Sequence, residues 1–174
     1  MTLSELQFTF PDATEETWHQ HSNGGGWVQN TARVDDTSFV GPDALVYDNA
    51  VISGYVRVSD DALVFGNAVI SGYVRVLGNA WVSGDARVFG NACVFGDAQI
   101  FGNARVSGDA QIFGDAWVYG NTQIFGNARV FGSADVFGCA NVFGCANVSG
   151  NTRVSGDARV SGNAQVFGDD VISE

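Results

Sequence analysis

A six-residue period runs through most of this chain of 174 residues. Val or Ile recurs at every sixth position from Val28 to Ile172 without interruption, which gives 25 hexads. Consecutive hexads read Ala-Arg-Val-Phe-Gly-Asn, Ala-Cys-Val-Phe-Gly-Asp and Ala-Gln-Ile-Phe-Gly-Asn. A strict short period predicts the architecture more directly than the secondary-structure propensities of single residues do. The reason is that each repeat can bury its apolar side only by stacking on its neighbours.

The hexad predicts a short strand followed by a corner. Ala and Val lie two positions apart, so they point to the same side of an extended segment. The intervening position holds residues such as Arg87, Arg105 and Arg129, which are rarely buried unpaired, so the Ala/Val side should face inward. Gly recurs at all 18 of its positions from Gly66 to Gly168, followed in most hexads by Asn or Asp, and such pairs favour turns.

These Val-x-Gly-Asn-Ala-x hexads resemble the hexapeptide-repeat superfamily of left-handed parallel β-helices. The resemblance implies an all-β fold with three hexads per triangular coil, hence about eight coils over 28–174. Many acyltransferases of that superfamily have Gly directly after the aliphatic residue, whereas here it comes two positions later. This version looks more like the polymer-forming or uncharacterised bacterial and phage members.

Residues 1–27 depart from the period and should form a small N-terminal cap. Leu6-Gln7-Phe8-Thr9-Phe10 alternates in hydrophobicity, which predicts a strand. Asp12-Ala13-Thr14-Glu15 predicts a capping box that opens a short helix through about His19. A cap is expected on physical grounds, because the first coil of a solenoid would otherwise expose apolar side chains and unpaired backbone.

Location and redox state are predicted from simple features. No apolar segment approaches membrane-spanning length and no signal peptide is evident, so we expect a cytoplasmic protein, with virion association as a variant of that prediction. Cys139 and Cys145 should occupy successive corners, about 13 Å apart across four strand residues. That separation is too large for a disulfide.

The residues expected of an enzyme are missing from the repeats. Enzymes of the hexapeptide-repeat superfamily typically use a catalytic His or a zinc ion bound by three His. This chain has two His, His19 and His21, both in the cap. We therefore predict no catalytic residues, no cofactor and no metal site, and a hexapeptide acyltransferase is the less favoured function.

Two further classes of site are disfavoured. The net charge is −11 and all eight basic residues are Arg, which argues against nucleic-acid binding because that requires basic residues. Asp97 and Asp115 are 18 residues apart and should stack on one corner. A cation could bridge them, but water and neighbouring Asn side chains account for the pair equally well.

Outward aromatic ladders are the unusual feature of this sequence. The position after the aliphatic residue is Phe or Tyr in 12 of the 25 hexads. Aromatic residues 18 apart should stack on one another. These stacks could simply stabilise neighbouring coils, or they could form an exposed apolar surface larger than a soluble monomer usually carries. The predicted ladders are Phe95, Phe113 and Phe131 on one face; Phe101, Tyr119 and Phe137, beside Trp81 and Trp117, on a second; and Phe89, Phe125 and Phe143, interrupted by Ser107, on the third.

The sequence thus predicts a non-enzymatic structural or binding solenoid that self-associates through these ladders into a homo-oligomer or filament. A phage or prophage origin fits the resemblance. The alternative is a binding module that holds a small molecule between subunits. The expected interface residues are Phe89, Phe95, Phe101, Phe113, Trp117, Tyr119, Phe125, Phe131, Phe137 and Phe143.

Overall fold

The computed structural model describes residues 1–173, and most of its 26 strands contain only two residues. One helix, α1 (Leu3–Thr9), precedes them. The strands form three sheets, and from the second strand onward successive strands pass from one sheet to the next, so each coil contributes one strand to each sheet. The prediction of a parallel β-solenoid of about eight coils is confirmed.

Sheet I has ten strands, and its outer surface is called face I. Its strands are β1 (Trp18–Gln20), β2 (Trp27–Gln29), β5 (Leu45–Val46), β8 (Leu63–Val64), β11 (Trp81–Val82), β14 (Gln99–Ile100), β17 (Trp117–Val118), β20 (Asp135–Val136), β23 (Arg153–Ser155) and β26 (Val171–Ser173).

Sheets II and III have eight strands each, and their outer surfaces are faces II and III. Sheet II consists of β3 (Arg33–Val34), β6 (Val51–Gly54), β9 (Val69–Gly72), β12 (Arg87–Gly90), β15 (Arg105–Val106), β18 (Gln123–Ile124), β21 (Asn141–Val142) and β24 (Arg159–Val160). Sheet III consists of β4 (Phe39–Val40), β7 (Arg57–Val58), β10 (Arg75–Val76), β13 (Cys93–Val94), β16 (Gln111–Ile112), β19 (Arg129–Val130), β22 (Asn147–Val148) and β25 (Gln165–Val166).

The register between coils is 18 residues throughout the parallel ladders. Val82 pairs with Ile100 in sheet I, and Val88 pairs with Val106 in sheet II. Backbone hydrogen bonds also join adjacent coils, as in the bond from Phe95 N–H to the Ile112 carbonyl at 3.0 Å. The expected sidedness is confirmed, because the Ala and Val/Ile positions form one continuous buried core along the axis.

The corners depend on backbone with positive φ. Gly102 has φ +69°, and a Cβ added there would lie 3.0 Å from the amide nitrogen of Gly120 in the next coil. Asp48 (φ 59°) and Asp60 (φ 61°) replace Gly at two early corners. The Asp48 carboxylate accepts a hydrogen bond from the Gly66 amide at 3.1 Å, which offsets the strain of a side chain at that position.

The cap contains a helix and a strand, but not where the sequence pattern predicted them. The predicted strand at 6–10 is wrong, because α1 occupies Leu3–Thr9. The predicted helix from about 12 to 19 is also wrong, because Trp18–Gln20 forms β1 and pairs antiparallel with β2. Thr2 and Glu5 form the capping box, so the helix begins earlier than the box predicted at Asp12.

Candidate interaction surface

The predicted aromatic ladders stack as expected. Phe113 lies 4.8 Å from Phe95 and 4.8 Å from Phe131, centroid to centroid, with the rings nearly parallel. On face I, Tyr119 stacks on Phe101 at 4.8 Å and on Phe137 at 5.2 Å. These spacings match the separation of adjacent strands, so the ladders follow directly from the coil register.

The ladder on face II is shorter than the other two. Phe125 and Phe143 stack at 4.9 Å. The residues directly below and above Phe89 in its column are Ser71 and Ser107, so its ring has no stacking partner. Phe89 is consequently 42% exposed. The interruption predicted at Ser107 is confirmed.

Stacking buries the ring faces and leaves the ring edges at the surface. Phe95, Phe113, Phe131, Phe101 and Phe137 are all partly buried rather than exposed. Among the rings of the predicted ladders and the tryptophans beside them, the more exposed ones lack a neighbour on one side or lie beside a ladder. They are Trp81 (42%) and Trp117 (45%) on face I and Phe89 and Phe125 on face II. The role of these rings as an interface stays a prediction.

Several aromatic contacts were not predicted from the sequence. Tyr47 stacks on Phe65 at 4.9 Å, which forms a second stack on face I, nearer the cap and separated from the Phe101 ladder by Ser83. The 18-residue step between Tyr47 and Phe65 is the signal that could have revealed the pair. Phe10 contacts Tyr47 edge-on at 5.1 Å and Trp18 at 4.9 Å, so the cap is joined to this second stack through aromatic rings.

Arginine side chains lie over several ladder rings. Arg129 is 5.3 Å from the ring centroid of Phe113 and 5.5 Å from that of Phe131. Arg153 lies 5.3 Å from the Phe137 ring. A cation within about 6 Å of a ring face is attracted to it, so these arginines stabilise the ladders they border.

The three faces differ in charge. Seven of the eight arginines project from faces II and III: Arg33, Arg57, Arg75, Arg87, Arg105, Arg129 and Arg159. Face I has none before Arg153. Its first charged strand residue beyond the cap is Asp135, and the outward positions before it are apolar, aromatic, Ser or Gln. Face I is therefore the apolar face of the solenoid.

The cap covers the first part of face I. Leu6, Trp18, Trp27 and Leu45 form one buried cluster, against which Leu63 packs. The Trp27 indole N–H donates to the Met1 carbonyl at 3.1 Å, and this bond fixes the start of α1 over the sheet. The cap cluster ends at the level of Leu63, and the tryptophan on the next strand is exposed.

The corners carry ladders of polar side chains. The Asn79 amide donates to Asp97 at 2.7 Å, and the Asn91 amide donates to Asp109 at 2.9 Å, in each case one coil further on. Asp97 thus has Asn79 as its hydrogen-bond partner. Asp115 lies instead beside Trp117, where a shallow pocket of about 230 Å³ is also lined by Ser133 and Asp135.

The cap histidines and the cysteines are not assembled into a reactive group. His19 Nδ1 lies 2.7 Å from Asn30 Oδ1 and is exposed, whereas His21 is buried with its Nδ1 next to the Asn23 backbone. All three cysteines are free thiols. Within residues 1–173, no group of three or more His, Cys, Asp or Glu side chains is arranged to hold a metal ion.

Burial perturbs a few titratable groups. Burial, followed by the nearby Asp48 carboxylate, raises the pKa of Tyr47 to about 12. Burial also raises the pKa of the Cys93 thiol, against a smaller opposing effect of Arg75. A raised thiol pKa lowers the thiolate fraction, so Cys93 is a poor nucleophile.

Comparisons with known proteins agree with the architecture. A family model described as the YdcK beta solenoid repeat matches residues 56–72, 98–111, 122–136 and 152–168, together just over a third of the chain. No curated protein and no solved structure matched the chain. No helix within residues 1–173 is long and apolar enough to cross a bilayer. The chain is a β-solenoid repeat protein, similar in these four segments to the YdcK solenoid repeat.

Proposed function

We propose that this protein is a non-enzymatic structural solenoid, a rigid rod that self-associates through its outward aromatic ladders. The supporting observation is the row of stacked rings with exposed edges, which continues past the end of the cap on face I and recurs on faces II and III. Contiguous exposed apolar surface of this kind marks interaction sites on soluble proteins.

The proposal includes a left-handed coil and membership of the hexapeptide-repeat superfamily, among members similar to its polymer-forming or phage proteins. The hexads and the parallel register support it. A bacterial cytoplasm, or a virion assembled there, is the proposed location. Neither nucleic acid nor membrane is a proposed partner, since the chain is acidic and seven of its eight arginines are spread over two faces.

Solution mass as a function of concentration tests the proposal. Light scattering behind size exclusion, from about 1 to about 200 µM, should give a mass that rises above that of the 18.3 kDa monomer. A constant mass of 18.3 kDa across the series would refute self-association. The ladders would then act only as support between coils.

Variants of single ladders show which face contributes. Replacing Phe95, Phe113 and Phe131 together by Ser removes the face III ladder, and the corresponding replacement of Phe101, Tyr119 and Phe137 removes the face I ladder. Each variant is compared with the wild type by circular dichroism first, because ring stacking also stabilises the coils. A folded variant with reduced oligomer mass identifies a face that takes part in assembly.

The alternative is a module that binds a small molecule between subunits. The pocket beside Trp117 favours it, because its carboxylates and its aromatic wall lie on the outside of the solenoid, where an adjoining subunit could close it. Native mass spectrometry of the purified protein decides between the two. A bound small molecule that is lost on dissociation of the oligomer favours the alternative, and an oligomer of unmodified chains favours the structural role.

A further inference from the structure

We propose that face I is the primary contact surface and that it pairs with face I of a second copy in antiparallel orientation, with the two-fold axis at Trp117. This inference rests on the proposed function, because it specifies the partner surface and the register of the self-association. The argument uses three features of face I: its lack of arginine, the position of the cap, and the order of its side chains.

Face I is the face best suited to contact a copy of itself. Faces II and III carry seven arginines between them, so pairing either with its own copy brings cations together. From Trp81 to Tyr119, the outward positions of face I hold no charge. The cap already shows how this face is covered, since it buries Trp27 and Leu45 to 6% and 5% exposure.

The cap excludes the parallel arrangement. It lies on face I at the level of Trp27, Leu45 and Leu63, and it includes a helix, which is about 10 Å thick. A parallel pair would place the two caps opposite each other and hold the sheets apart. In an antiparallel pair each cap lies at the opposite end from the other, so the exposed stretches of the two faces can meet.

The order of side chains then selects the register. Going up sheet I, the outward residue that precedes the buried Val or Ile is Trp81, Gln99, Trp117, Asp135, Arg153 and Val171 in successive strands. Consider an antiparallel pair whose two-fold axis runs parallel to the strands at the level of Trp117. In this pair the column faces the same column of the partner in reverse order.

The matched side chains are chemically complementary. Trp117 meets the partner's Trp117, Gln99 meets the partner's Asp135, and Trp81 meets the partner's Arg153. The Gln99 amide can donate to the carboxylate, and the Arg153 guanidinium can lie over the indole ring. The Arg153 side chain is 57% exposed, so it can make this second contact while it borders Phe137 and lies 4.0 Å from the Asp135 carboxylate on its own chain.

The second outward column fits the same axis. This column follows the buried aliphatic residue and reads Ser83, Phe101, Tyr119, Phe137 and Ser155. About Tyr119, Phe101 meets the partner's Phe137 and Ser83 meets the partner's Ser155. Large residues therefore face large ones at the centre, and the small residues meet at the ends, where the exposed Trp81 ring projects next to Ser83.

Shifted registers lose these contacts. An axis at Asp135 brings the two Asp135 carboxylates together, which repel each other. An axis at Gln99 places three partner strands, at Asp135, Arg153 and Val171, opposite Leu63, Leu45 and Trp27, so the whole cap collides with the partner's sheet. The axis at Trp117 keeps the two Asp135 carboxylates apart and places only the partner's last strand, at Val171, level with Leu63 at the edge of the cap. It also directs the partner's Gln99 toward the pocket lined by Trp117 and Asp135.

The contact is small, so the pair should be weak. Five strands at about 4.8 Å and a face about 13 Å wide give roughly 300 Å² of flat surface per copy. Stable interfaces bury about 800 Å² of accessible surface per partner. We therefore expect a concentration-dependent dimer rather than an obligate one.

Exposed residues provide a matched pair of variants for the affinity test. Trp81→Ser with Trp117→Ser removes two rings that are 42% and 45% exposed on face I. Phe89→Ser with Phe125→Ser removes two rings that are 42% and 37% exposed on face II and serves as the control. Sedimentation velocity should show at least a tenfold increase in the dimer dissociation constant for the face I variant and less than a twofold change for the control.

Cross-linking tests the register. In a background in which Cys93, Cys139 and Cys145 are replaced, Trp117→Cys should form a cross-linked dimer with a bis-maleimide that spans the ~10 Å between packed sheets. Trp81→Cys should not form a cross-linked dimer, because position 81 of the partner would be offset by four strands, about 19 Å. Both variants lose one tryptophan, so they are matched in apolar loss.

A mixture of the Gln99→Cys protein with the Asp135→Cys protein retains both tryptophans and should give a cross-linked heterodimer.

The outcomes separate the two proposals. Equal cross-linking of Trp81→Cys and Trp117→Cys would overturn the antiparallel register. An oligomer that survives the loss of Trp81 and Trp117 but disappears without the Phe95, Phe113 and Phe131 ladder would overturn the assignment to face I and leave self-association standing. A wild-type monomer at every concentration would refute both.

Discussion

Replacing Phe113 by Ala measures how much the ladders stabilise the coil itself. Phe113 stacks on two rings, Phe95 and Phe131, at 4.8 Å each, and is partly buried. An aromatic pair contributes about 0.5–1.5 kcal/mol beyond its buried area, so two pairs account for about 1–3 kcal/mol. Lost apolar burial adds about 1 kcal/mol. We expect the free energy of unfolding to fall by about 2–4 kcal/mol.

Phe89→Ala is the control for this variant. Phe89 belongs to the same position of the hexad but lacks a stacked neighbour and is 42% exposed. Its removal should cost about 1 kcal/mol or less, because it loses little buried area and no ring pair. The two variants therefore differ in stacking and hardly at all in composition.

Urea unfolding followed by circular dichroism provides the measurement. It should be done at low micromolar concentration, so that association does not contribute to stability. With a urea dependence of about 2 kcal/mol/M, the midpoint of Phe113→Ala should fall by about 1–2 M and that of Phe89→Ala by about 0.5 M or less. Equal shifts, or no shift for Phe113→Ala, would refute the view that stacking stabilises the coils.

Two further predictions concern the corner and the cap. Gly102→Ala should lower the free energy of unfolding by about 1–3 kcal/mol, because Ala disfavours φ +69° and its Cβ would crowd Gly120. Gly102→Asp should recover about 1 kcal/mol of that loss, because its carboxylate can accept a hydrogen bond from the Gly120 amide, as Asp48 does from the Gly66 amide. Equal urea midpoints for the two variants would contradict this. Tyr47 has its pKa raised to about 12, so its contribution to stability should be constant below pH 10 and decline between pH 10 and 12, where the unfolded chain ionises first. Unfolding midpoints at pH 9 and 11.5 should show a smaller decline for Tyr47→Phe, and an equal decline would contradict the assignment to this phenol.

The coils could be predicted from sequence because one property, the hexad period, specifies them at every position. Side-chain direction, corner position and the 18-residue step between coils all follow from that period. The ring stacks at Phe113 and Tyr119 were predictable for the same reason, since parallel register places equivalent positions about 4.8 Å apart.

The cap could not be predicted as reliably, because two periods overlap in its sequence. Leu6, Phe8 and Phe10 alternate like a strand, but Leu3, Leu6 and Phe10 also lie on one side of a helix. The helix forms because Leu6 becomes fully buried against face I while Phe8 remains 89% exposed. A sequence pattern contains no information about which apolar surface the solenoid offers to the cap.

The apolar character of face I was present in the sequence but depends on assigning hexads to faces. Grouping every third hexad separates Trp81, Gln99 and Trp117 from the arginine-bearing positions, and this grouping requires the coil to contain exactly three hexads. The aromatic residues alone gave similar ladders on all three faces. Arginine, rather than the rings, distinguishes the faces.

Support between coils and contact between copies are compatible functions of one ladder. Stacking uses the faces of each ring, and an adjoining subunit would contact the edges. A ring held between two others, as Tyr119 is between Phe101 and Phe137, has little freedom left to lose when a partner binds. Association through such rings should therefore cost less side-chain entropy than association through isolated ones. A small face can then suffice for a reversible contact, and a rod with further ladders on its other faces can make several such contacts at once.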